Sequence, residues 1–343
     1  VGLARKAGCD LAFRWIHDGV IDSQWICNTD ADARMPADYF LRLDSRHADS
    51  FCSDTCCNHG LAGPRPAAAV FPFRHVPGKD RASYAATQLY ELRLHHYVLG
   101  LTRANSPYAF HTLGSCLAVT ADSYAQVRGF PRRAGAEDFY LLNKLAKLGP
   151  VIRLGGDCIQ LRSRTSSRVP FGTGPAVDRI RAALAATAPT IPATAAGPSG
   201  LAQFYDPVCF EALRCFLAAV PALQQSPAED LALELNNQLQ AQGLAPAVAR
   251  ASCKTALALG LDSALQHCRR QGRTSGQFLR QFHQGFDAFR TLKCVHGIRD
   301  AGWPLQEYQS LQARQPQLWP AAGTGEGVEP ILGGIMRHWG WQA

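Results

Sequence analysis

The chain has 343 residues, 47% hydrophobic and 18% charged, and a formal net charge of +8. That length and composition suit one large domain or two ordinary ones and exclude wholesale disorder. The positive balance suits an anionic partner without choosing among a nucleotide diphosphate, nucleic acid and a membrane surface.

The first pattern, residues 1–19, predicts a helix ending near Gly19, with Arg5 and Lys6 facing either a phosphate or solvent. Residues 21–28 predict a strand. It stops at Asn28-Thr29-Asp30-Ala31-Asp32, and Pro36 opens a predicted helix over 36–48. Cys52, Cys56, Cys57 and His59 are chemically able to bind zinc, but their spacing is poor for paired metal knuckles, and loop or core cysteines are the plainer reading. A proline-rich loop over 60–78 contains one predicted strand at 69–73, followed by a helix over 83–101. The adjacent His95 and His96 of that helix do not share a face, which argues against a two-histidine metal site.

Gly114 permits a close approach by substrate or backbone before a predicted strand at 117–119 and a short helix over 121–127. Glu137 and Asp138 then precede an apolar helix. Either suits a helix cap, and either suits a general base if it faces a bound nucleophile. A strand at 151–154 precedes the arginine-rich run Arg162, Arg164 and Arg168, which reads as a phosphate wrap or as a surface loop. From 176 onward the pattern is helical: 176–188, 207–223, 227–242, 246–270 and 275–300, with Leu231, Leu235, Leu239, Phe282, Phe286 and Phe289 as buried faces. Trp319, Trp339 and Trp341 in the tail read as packing residues.

Twelve cysteines are spread over a long chain, mostly singly within apolar patterns. Cys215, Cys253, Cys268 and Cys294 read as reduced small hydrophobes in helices, which points to a reducing, cytoplasmic compartment. No apolar run predicts a transmembrane helix, and peripheral attachment to the inner face of a membrane remains compatible. No basic stripe or recognition motif in the sequence points to nucleic acid.

Together these residues spell phosphate-assisted group transfer. Asp30 and Asp32 offer hard oxygen ligands for Mg2+ or Mn2+, ions that commonly hold substrate phosphates as well. Asp138 serves as base with Glu137 supporting it, and Arg168, Arg5 or Lys6 offset phosphate charge. Nucleotidyl transfer fits the same chemistry.

The ordered motifs 26–40, Gly114-Ser115 with the strand after it, Gly129-Phe130-Pro131 and Ala136-Glu137-Asp138-Phe139, together with residues 2–8, resemble a family 2 glycosyltransferase with a GT-A fold. The resemblance implies an α/β, GT-A-like mixed-sheet nucleotide-sugar domain over 1–176, its first strand lying upstream of Val1, and a helical accessory region over 177–343. It implies a nucleotide-sugar donor, an acceptor hydroxyl, inversion at the anomeric carbon, and Mg2+ or Mn2+; a polysaccharide, a lipid-linked sugar, a protein and a small metabolite all fit as the acceptor. Its metal-associated acids map onto Asp30 and Asp32 and its base onto Asp138. The implied donor or phosphate-binding set is Arg5, Lys6, Asp30, Asp32, Gly114, Ser115 and Arg168. A degenerate transferase acting as a helical scaffold is the non-enzymatic alternative.

Overall fold

A computed structural model describes residues 1–44, 65–165, 172–187, 203–225, 230–307, 311, 332 and 341–342. Helix α1 (Gly2–His17) leads to strand β1 (Trp25–Asn28), in which Ile26 and Asn28 are buried. The chain then forms β2 (Ala33–Arg34), so Asp30 and Asp32 occupy the link between two strands. The helix predicted over 36–48 is not a regular one. Within the described residues it is a turn followed by a 3-10 helix at Leu41–Leu43. Arg42 explains the difference. It is fully buried, and its guanidinium donates to Asp38 at 2.6 and 2.9 Å and to the carbonyls of Gly155 and Asp157 at 3.1 and 2.7 Å. These bonds bind the turn to a distant segment. Gly156, at φ +88, lets the guanidinium come close: a Cβ there would sit 3.0 Å from its carbon.

The single strand predicted at 69–73 is two, β3 (Ala68–Val70) and β4 (Phe73–Val76), which belong to different sheets. Helix α2 (Arg81–Arg103), β5 (Leu117–Thr120), α3 (Ala121–Gln126), α4 (Glu137–Leu145) and β6 (Val151–Arg153) follow as the sequence pattern indicates. Then come β7 (Gly156–Asp157), β8 (Ile159–Arg162) and α5 (Thr173–Thr187). The larger sheet has the order β1-β5-β3-β6; β5 runs antiparallel to both β1 and β3, while β3 and β6 are parallel. Every residue of β3 is buried, as expected for an inner strand covered on both faces. A second sheet, β2-β8-β4, pairs β8 antiparallel with β2 and parallel with β4.

The chain divides into two compact units, Val1–His95 with Phe110–Ala202 and Glu307–Ala343, and His96–Ala109 with Gln203–Gln306. This division cuts the chain elsewhere than after residue 176. The later elements are β9 (Gln203–Phe204), α6 (Pro207–Ala219), α7 (Leu231–Ala241), α8 (Pro246–Ala258), α9 (Leu261–Gln271), α10 (Ser275–Gly285), α11 (Ala288–Asp300), β10 (Gln306–Glu307) and β11 (Trp341–Gln342). Two of the predicted long helices are each a helical pair. Gly260, at φ +81, breaks the first. Asp287 breaks the second by accepting from the Phe289 and Arg290 amides at 3.2 and 3.3 Å, which starts a new helix. Leu231, Leu235, Leu239, Phe282 and Phe286 are buried, whereas Phe289 is 41% exposed because it follows that cap. Cys215, Cys253, Cys268 and Cys294 are free and buried. Among the described residues no helix is long and apolar enough to cross a membrane. The backbone at Trp341 pairs with β7, and Trp319 and Trp339 lie outside the described residues.

The first unit encloses a polar chain. Glu91 is 1% exposed; its Oε2 accepts from the His75 amide at 2.7 Å and lies 2.5 Å from His75 Nδ1. His95 Nε2 lies 3.7 Å from the other Glu91 oxygen, and His95 Nδ1 lies 3.1 Å from His111 Nε2. Burial alone would raise the Glu91 carboxyl, but its contacts with His75 and His95 outweigh burial and hold it down at about 2. Its contribution to stability is therefore present above the ordinary value of 4.5 and is lost as pH falls from there toward 2. Acid unfolding followed by circular dichroism should show this loss, and Glu91→Gln should flatten it; an unchanged acid profile in the variant would remove Glu91 from that role.

Candidate active site

The site is built on the docking of α1. The Gly2 amide donates to the Arg133 carbonyl at 3.0 Å, and a Cβ at Gly2 would fall 2.3 Å from the Pro131 carbonyl oxygen. Only glycine lets the helix start that close to the segment leading into α4. Arg5 is then turned inward. Its Nη2 donates to Asp30 Oδ1 at 2.8 Å, its Nη1 donates to the Gly114 carbonyl, and its Nε lies 3.0 Å from Glu137 Oε1. Gly114 makes room for this. A Cβ there would stand 2.7 Å from the guanidinium carbon. The side-chain amide of Asn28, the last residue of β1, donates to the same carbonyl. One guanidinium thus joins the acidic link after β1, the glycine before β5 and the start of α4.

Asp138 faces the same glycine. Ala136 adopts the left-handed conformation at φ 55 ahead of α4. Asp138 Oδ2 accepts from the Gly114 amide and Oδ1 from the Phe139 amide, both at 2.8 Å. Each carboxylate oxygen retains a second lone pair for a proton. Burial raises the Asp138 carboxyl above its ordinary value of 3.8, and adjacent Glu137 adds to the rise; the Phe139 amide, Arg5 and the Gly114 amide oppose it. Between 3.8 and its raised folded value, the folded state keeps a proton that the unfolded chain releases. Stability from this group is thus present below 3.8 and is lost as pH rises through the folded value. If Asp138 is the base, the acid limb of kcat/KM should lie above 3.8. A pH–rate profile checks this, and a limb at or below that value would contradict it.

The other expected residues are distributed differently. Asp32 Oδ2 pairs with Arg164 Nε at 3.0 Å, whereas Asp30 pairs with Arg5. Lys6 is engaged elsewhere: its Nζ donates to both Asp10 oxygens at 2.9 and 2.8 Å, and the Tyr124 hydroxyl also donates to Asp10. Ser115 is buried, with its hydroxyl 3.7 Å from the Cys116 sulfur. Arg168, Cys52, Cys56, Cys57 and His59 lie outside the described residues. Asn28 and Arg164 join the site although neither belonged to the implied donor set. Asn28 sat within the acidic motif, and Arg164 within the arginine-rich run.

No group of three or more His, Cys, Asp or Glu side chains able to hold a metal occurs among the described residues. Asp30 and Asp32 nevertheless supply hard oxygen donors, with one oxygen of each facing a guanidinium. That donor set suits a cation held by one or two carboxylates together with water and substrate phosphates, not a dedicated protein cage.

The described chain is therefore a mixed α/β domain of general Rossmann-like architecture followed by a helical region. Asp30 and Asp32 follow β1, and Glu137 and Asp138 open α4. No protein-family model matches the chain, and neither a curated protein nor a solved structure matches it.

Proposed function

We propose that the chain is a glycosyltransferase of GT-A type that moves a sugar from a nucleotide-diphosphate donor to an acceptor hydroxyl, with inversion. The observation that carries this reading is the joining of Asp30, Gly114 and Glu137 through Arg5, with Asp138 bonded to the same glycine. The acceptor O–H proton passes to Asp138. The acceptor oxygen bonds to the anomeric carbon as the bond from that carbon to the diphosphate breaks, and the electron pair leaves on the diphosphate. Arg5 holds Glu137 and Asp30 in place and opposes the rise of the Asp138 carboxyl. Asp30 and Asp32 would hold Mg2+ or Mn2+, which when bound neutralises charge on the leaving diphosphate.

A second reading has a specific motive. Both acids of the Asp30/Asp32 pair already face arginines, an arrangement that suits a degenerate transferase acting as a scaffold. A panel of nucleotide sugars with Mg2+ or Mn2+, analysed by product, separates the readings. Nucleoside diphosphate with a glycosylated acceptor, or slow donor hydrolysis, supports sugar transfer. Sugar 1-phosphate, released as the nucleoside monophosphate passes to an acceptor, points to nucleotidyl transfer. No donor binding and no turnover in folded protein favours the scaffold.

A further inference from the structure

The second sheet presents a basic face beside Asp32. Cross-strand register sets Arg34 of β2 opposite Gln160 of β8, and Gln160 opposite Arg74 of β4; Arg162 stands opposite Val76. Paired residues share a face, so Arg34, Gln160, Arg74, Val76 and Arg162 all project to one side. The alternate positions Phe73, His75 and Ile159 are buried, which makes this side the outer one. Arg34 and Arg162 are exposed. Arg164, two residues past Arg162, continues the row and reaches Asp32 at 3.0 Å.

Arg34 and Arg162 are diagonal neighbours across one strand pair, about 7–8 Å apart at Cα. Among the described residues no acid pairs with either one, and Asp32 already meets Arg164. Two like charges on one face at such spacing do not form a stabilising cross-strand pair. They are placed well for a ligand carrying more than one anionic group, because each guanidinium can take a carboxylate or phosphate through two parallel hydrogen bonds. Among the described residues of β2, β8 and β4, the face carries no aromatic ring on which a base could stack, unlike typical surfaces for single-stranded nucleic acid, and no long apolar side chain to enter a bilayer.

We propose that the outer face of β2-β8-β4 binds an acidic oligosaccharide, the acceptor chain, through Arg34, Arg162 and Arg164. The identity of the ligand as acceptor rests on the transferase reading; the anion binding itself does not. The test is fluorescence anisotropy of a labelled galacturonic-acid oligomer on the full chain, without donor, across a salt series. The intact protein should bind the acidic oligomer, with affinity falling as salt rises, and should ignore a neutral glucose oligomer of equal length. Arg34→Gln with Arg162→Gln should weaken binding about tenfold, a difference of about 1.4 kcal/mol, without moving the melting temperature. Arg34→Lys with Arg162→Lys should restore only part of it, because an ammonium keeps the charge but not the two parallel hydrogen bonds. Equal binding by the Gln variant would overturn the proposal, as would binding only to phosphatidylglycerol vesicles or only to an oligothymidylate. Retained anisotropy with no sugar transfer from any donor would sink the transferase reading and leave the anionic site standing.

Discussion

Asp138→Asn is expected to lower turnover by about 10³-fold while leaving donor affinity nearly unchanged. The substitution keeps the size of the side chain and removes its capacity to take a proton. Its local cost is small and identifiable. The two carboxylate oxygens accept from the Gly114 and Phe139 amides, whereas asparagine offers one carbonyl oxygen, so one of these amide donors must face an NH2 or turn to water. A drop in kcat with little change in donor binding, together with loss of the acid limb of the pH–rate profile, identifies the base. Turnover equal to that of the parent would remove Asp138 from the mechanism.

Arg5→Gln is expected to damage both stability and activity. Glu137 is 6% exposed at its side chain and Arg5 12%, so removing the cation leaves a buried carboxylate without its counter-charge. Breaking such a pair costs on the order of 3 kcal/mol. Asp30 and the Gly114 carbonyl lose their contacts in the same step. Because Arg5 opposes the rise of the Asp138 carboxyl, its loss should move the acid limb of kcat/KM to higher pH. Arg5→Lys should recover the charge and much of the limb, but less of the stability, since one ammonium cannot span three acceptors in a fixed fork. A melting curve and a pH profile for both variants check this. A glutamine variant as stable as the parent, with an unshifted limb, would show that Arg5 holds nothing together.

The parts of the fold governed by local pattern were legible in the sequence. β1 ends where Asp30 and Asp32 were expected to follow it, and α4 begins at Glu137. Gly114 is the close-approach glycine, but what approaches it is the Arg5 guanidinium. Features set by partners far along the chain were not legible. Arg42 falls within the helix predicted over 36–48, and nothing local marks it as the residue that the carbonyls of Gly155 and Asp157 hold. Lys6 and Arg5 are neighbours in sequence, yet Asp10 and Tyr124 draw Lys6 away from the site. The basic face is the clearest case. No stretch of the sequence is a basic stripe, because the stripe exists only once β2 and β8 lie side by side. The splits at Gly260 and Asp287 did have local signals, a glycine and an N-cap acid, which apolar periodicity across them overrode.

The most direct test is a structure of the protein with a nucleotide sugar and Mn2+ bound. The expected arrangement has the diphosphate and cation against Asp30 and Asp32, with the anomeric carbon facing Asp138 across Gly114. Donor bound elsewhere, with the Arg5 to Asp30 and Arg164 to Asp32 bridges unchanged, would contradict it.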